Sequence, residues 1–100
     1  MDEDRLQAVR AAIGEVDREM AALFVRRMAA VREIAACKRE RGLPILDEAQ
    51  ERRVIERNLA WIEPEELRGH YVNFLRGLMD VAKDYQRELL DGCLPEAGER

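Results

Sequence analysis

A chain of 100 residues with 47% apolar and 38% charged side chains, six Gly and three Pro has room for one core and too few breakers to stay disordered. Its formal charge of −4 excludes a surface built to neutralise phosphates, so no nucleic-acid partner is expected. No apolar run approaches the roughly 18 to 20 residues of a membrane span, and the opening MDEDRLQ is acidic where a signal peptide is basic. The expectation is a cytoplasmic protein with no membrane partner.

From Asp4 to about Arg41 there is no Pro, and Gly14 is the only Gly, so nothing obliges the backbone to leave a helix. Leu6, Ile13, Met20 and Ile34 share one heptad line, and Val9, Val16, Leu23, Ala30 and Cys37 form the line that completes an a/d seam. The pattern predicts one long amphipathic helix of roughly 55 Å. A hundred-residue globule has a radius of gyration of only about 13 Å, so such a helix overhangs any core that one chain can form. The simplest cover for its apolar stripe is a second copy, which predicts an intertwined homodimer.

Lys38, Arg39 and Arg41 give the first helix a cationic end, Gly42 and Pro44 stop it, and GLPIL reads as a loop. Asp47 is the predicted N-cap of a second, short helix, with Gln50 completing a capping-box pattern and Val54, Ile55 and Leu59 on its apolar face. That helix is expected to end near Trp61. Pro64 fits the first turn of a third helix, whose apolar positions 67, 71, 74, 75, 78, 79, 82, 85 and 89 carry it to about Asp91. The fold class is therefore all-α, three helices in the order long, short, long. Residues 1–91 are read as one helical domain and 92–100 as a flexible tail. Cys37 and Cys93 have neither the number nor the spacing of a disulfide framework and are read as free thiols.

Polar residues on the apolar register are the candidates for chemistry. Arg27 lies on the line of Leu6, Ile13, Met20 and Ile34, where a guanidinium needs an anion. A buried ion pair with another helix, or a stem extended to solvent, explains it equally well at this point. Lys38 lies eleven residues further on, about 16 Å along the same face, and taken singly is a solvated cation of a helix end. Arg10 is roughly 25 Å from Arg27 along the helix axis, so the two can share a small ligand only across an antiparallel dimer. Gln86 falls on the inner stripe after Met79 and Ala82, where its amide needs partners. Asp47 and Glu51 at the start of the second helix are explained by capping and the helix dipole.

The absences narrow the chemistry. The chain has no Ser or Thr, one unaccompanied His70, and no phosphate-binding loop or metal-ligand cluster. Covalent, nucleotide-dependent and metal catalysis lose most of their support, and no cofactor or metal is expected. Several cations, an amide and two acids among helices suit a small dianion and the stabilisation of developing charge.

The run Leu6, Arg10, Ile13, Asp17, Leu23, Arg27, followed by IAACK ending at Lys38, GLPILD ending at Asp47, then Glu51 and DYQ ending at Gln86, resembles the AroQ-type, all-helical chorismate mutases over about residues 4 to 90. The resemblance implies an intertwined dimer of three-helix chains that converts chorismate to prephenate, an isomerase step in phenylalanine and tyrosine biosynthesis. By matching positions it implies that Arg27 and Arg10 of the partner subunit hold the substrate carboxylates. Lys38 and Gln86 would donate to the ether oxygen, and Asp47 and Glu51 would meet the ring hydroxyl and help orient Lys38.

The sequence departs from that pattern at two positions. Gln50 stands where the family often has a carboxylate-binding Arg, and Ala82 where a Ser commonly touches the substrate. Lys83 and Arg87 are near enough in sequence to be considered as compensation. Two other readings stay open: a sister activity such as isochorismate pyruvate lyase or an aminodeoxychorismate mutase, and a non-catalytic helical dimerisation module.

Overall fold

The computed structural model describes residues 3–91, and every regular element among them is helical. Helix α1 spans Glu3–Arg41, α2 spans Glu48–Leu59 and α3 spans Arg68–Leu90, with a 3-10 turn at Glu65–Leu67 leading into α3. The long, short, long order is the one the apolar periodicity predicts. The expected tail, with Cys93, lies outside the described residues. Among the described residues no helix is long and apolar enough to cross a membrane.

Each boundary has a local cause. Glu3 and Asp4 in the first turn of α1, and Lys38, Arg39 and Arg41 in its last, complement the helix dipole. Gly42 then takes φ 67°, a conformation in which a Cβ is costly. The Leu43 N–H donates to the Lys38 carbonyl at 2.8 Å and the Gly42 N–H to that of Arg39 at 3.3 Å, which satisfies two of the four orphan carbonyls of the helix end. Asp47, extended at φ −139°, caps α2 by accepting the Gln50 N–H on Oδ1 at 3.0 Å.

Three details differ from the sequence reading. Gln50 gives its amide oxygen to Arg53 Nε at 3.0 Å, so it serves its own helix face and does not close a capping box. Helix α2 ends at Leu59, short of Trp61, because the Trp61 and Ile62 N–H groups bond the Asn58 and Leu59 carbonyls at 3.0 and 3.1 Å and tighten the chain out of the α-helix. Pro64 precedes a 3-10 turn closed by Leu67 N–H to Pro64 O at 2.9 Å, and α3 proper starts only at Arg68.

The chain divides into two units, residues 1–30 and 31–100, and α1 runs through both. In the first unit no described side chain is buried, and Arg27 and Met28 are half-buried. Leu6, Val9, Ile13, Val16, Met20 and Leu23 are all between 43% and 56% exposed.

The second unit has a core. Val54 of α2 and Leu75 and Met79 of α3 are buried together, with Ile55, Tyr71 and Leu78 packed against them. Val31 and Ala35, on the part of α1 within this unit, are also buried. Arg32 donates to the Tyr85 hydroxyl at 2.8 Å and Arg39 to the Leu89 carbonyl at 3.1 Å, tying that part of α1 to α3. Leu67 and Phe74, counted on the apolar stripe of α3, are 48% and 50% exposed. Together with Val81, 45% exposed, they form a second heptad line apart from the Leu75 and Met79 positions that meet α2.

Candidate active site

Lys38 stands in the last turn of α1, where the helix cap turns the chain back on itself. Its ammonium donates to the Ile45 carbonyl at 2.7 Å, so the loop that follows the helix also fixes a cation of its last turn. Lys38 is half-buried, and beside it Leu43, Pro44, Leu46, Asp47 and Glu48 line a cavity of about 500 Å³. A cation thus lines the same cavity as an apolar loop wall and the acidic start of α2.

Asp47 keeps the capping role its position demands, and Glu51 one turn later has another partner. Glu51 Oε2 lies 2.9 Å from Lys83 Nζ of α3, with the two side chains 28% and 16% exposed. Asp80 adds a second carboxylate to Lys83 at 3.5 Å. The Glu51 hydrogen bond raises the Lys83 ammonium above its ordinary 10.5, outweighing the opposing effect of burial, and the charges of Glu51 and Asp80 add to the rise. In this chain, then, the Ile45 carbonyl orients Lys38, while Glu51 is engaged by Lys83.

On α3 both expected positions turn inward. Ala82 and Gln86 are buried one turn apart, continuing the stripe of Leu75 and Met79. The Gln86 Oε1 is buried and has no hydrogen-bond partner among the described residues. An orphaned amide oxygen costs about 1–3 kcal/mol, which marks Gln86 as a residue the fold of one chain does not explain. Arg10 and Arg27 belong to the first unit, where Arg10 is exposed and Arg27 half-buried.

The two candidates for compensation are both engaged. Lys83 sits between Glu51 and Asp80, and Arg87 pairs with Asp84 at 3.1 Å on the exposed side of α3. Sequence reasoning missed the Ile45 carbonyl and the Lys83–Glu51 pair. The pair had a signal, since Lys83 follows Met79 by one turn and Glu51 precedes Val54 by one, so they form the next layer beyond an apolar contact. The carbonyl had none, because every loop residue carries one.

No curated protein and no solved structure compared with the chain matches it. A family model described as chorismate mutase type II matches residues 9–87, a span that holds Arg10, Arg27, Lys38, Asp47, Glu51, Ala82 and Gln86. That match runs over most of α1 and through α2 to the inward residues of α3, and the chain belongs to the chorismate mutase type II family.

Proposed function

We propose that this protein is a homodimeric chorismate mutase that converts chorismate to prephenate in phenylalanine and tyrosine biosynthesis. The family match over residues 9–87 carries the reading. The reaction is a unimolecular rearrangement in which an ether C–O bond breaks, a C–C bond forms and negative charge grows on the ether oxygen. No proton, nucleophile or cofactor is required, which agrees with a chain that has no Ser or Thr.

Each residue then has a physical task. Arg27 and Arg10 of the partner subunit hold the two carboxylates, and their planar forks restrict the enolpyruvyl arm to the conformer that reacts. Lys38 and the Gln86 amide donate to the ether oxygen, where a hydrogen bond is worth most in the transition state. Asp47 and Glu51 accept from the ring hydroxyl. The dimer reading is supported by the exposed stripe Leu6, Val9, Ile13, Val16, Met20 and Leu23, too long and continuous an apolar surface for a lone soluble helix.

The test is loss of chorismate absorbance with purified protein, with prephenate identified as the product and Lys38→Ala assayed beside it. Wild type is expected to make prephenate and the variant to fall by about 10²-fold or more, as loss of a donor to a developing oxyanion does. A folded dimer that leaves chorismate untouched would sink the reading. Release of pyruvate from isochorismate would assign the sister activity instead.

A further inference from the structure

The Lys83–Glu51 pair is placed where a simpler contact was available. Val54 of α2 meets Leu75 and Met79 of α3, and the next layer of the same helix pair could have continued in apolar side chains. It holds two opposite charges 2.9 Å apart, each mostly withdrawn from solvent. A partly buried ion pair gains little over well-packed apolar residues, because desolvation offsets the attraction. Stability alone therefore gives a weak reason for it.

Its surroundings give a stronger one. Lys83 directly follows Ala82 and stands one turn before Gln86, both buried on α3, and Glu51 stands one turn after Asp47. Composition adds an independent signal. Of the 17 Lys and Arg, only Lys38 and Lys83 are Lys. A chain that otherwise uses Arg keeps the compact ammonium at two places, the one held by the Ile45 carbonyl and the one held by Glu51.

We propose that Lys83 is a positioning residue for the active site: its ammonium fixes the Glu51 carboxylate and cancels its charge, so that Glu51 can accept from the substrate hydroxyl beside a dianion. The inference rests on the function proposed above, because it needs Glu51 to meet a doubly negative ligand. An acceptor as strong as a carboxylate repels such a ligand unless a cation stands behind it. Lys83 stands there on the neighbouring helix, and Asp80 at 3.5 Å holds it from the outer side. The substrate meets an acceptor oxygen whose charge Lys83 offsets, while the second carboxylate, Asp80, has a side chain 73% exposed, where water screens it.

The experiment is steady-state kinetics on chorismate with the full chain and the variants Lys83→Met, Lys83→Arg, Glu51→Gln and the double variant Lys83→Met with Glu51→Gln, each checked for helix content and melting. Lys83→Met leaves an unopposed carboxylate and should raise KM about tenfold while kcat changes less than about threefold, the pattern of lost ground-state binding. Lys83→Arg should restore KM to within about threefold of wild type. The double variant, neutral at both positions, should bind no worse than Glu51→Gln alone, since the penalty of Lys83→Met exists only while Glu51 is charged. If Lys83→Met does not fold, the comparison of Lys83→Arg and the double variant with Glu51→Gln decides the matter. An active wild type whose folded Lys83→Met variant keeps its KM, or shows only a lower melting temperature, overturns this inference alone. A wild type that leaves chorismate untouched overturns the reading of the site and this inference with it.

Discussion

The two units of this chain use the same helical sequence logic with opposite results. Residues 3–30 carry a regular apolar stripe and bury none of it, while residues 31–91 bury Val31, Ala35, Val54, Leu75, Met79 and Ala82. The difference lies in what each has to pack against. The second unit brings α2 and α3 together within itself, whereas the first is a single stretch of helix, and a helix can cover only a partner's stripe, never its own. Periodicity reports that a face wants burial and is silent about which molecule buries it.

The comparison is broken most sharply by a charge on the exposed stripe. If the proposed dimer forms through this stripe, Leu23→Asp should abolish it, measured by sedimentation, and lower the proposed chorismate turnover by about 10²-fold or more through loss of the partner's Arg10. An unchanged dimer would show that the stripe is not the interface. Leu75→Ala, at a position 2% exposed in the other unit, should cost about 2–5 kcal/mol in urea unfolding and leave association intact. The wild-type melting temperature should also rise with protein concentration, as it must when association stabilises the fold.

Smaller effects sharpen the picture within the second unit. Gln50→Arg, which restores a carboxylate-binding cation, should lower KM for chorismate by about tenfold, the effect of one charge-assisted hydrogen bond. Gly42→Ala puts a Cβ at φ 67° and should destabilise by about 1 kcal/mol in thermal melts, with Gly42→Asn costing less. The smallest effect is a pH dependence. Because folding raises the Lys83 ammonium above 10.5, the stabilisation from its pair with Glu51 is fully present at neutral pH and is lost only as the pH climbs through the raised value. Wild type and Lys83→Met should therefore differ in melting temperature at neutral pH and converge in strong alkali.

Much of this was legible in the chain. The order of helices, the stop at Gly42, the Asp47 cap and the inward turn of Gln86 all follow from short-range rules of spacing and capping, and the structure has each of them. What was not legible depended on competition between local partners. Gln50 had a choice between the chain start of α2 and Arg53, and took Arg53. The family resemblance implied that Glu51 helps orient Lys38, yet a loop carbonyl holds Lys38 and a lysine of α3 holds Glu51. Even Phe74, apolar and in register, stayed half in solvent, with one ring face stacked on Tyr71.

The unpartnered amide oxygen of Gln86 has a consequence for anyone who tries to make this protein hardier. Gln86→Met would fill the same space, remove the orphaned polar atom and raise heat resistance by about 1 kcal/mol or more. Laboratory selection for thermal survival alone would therefore favour the loss of the one amide that the proposed chemistry needs. Only a selection that demands turnover in every round would keep residue 86 a glutamine.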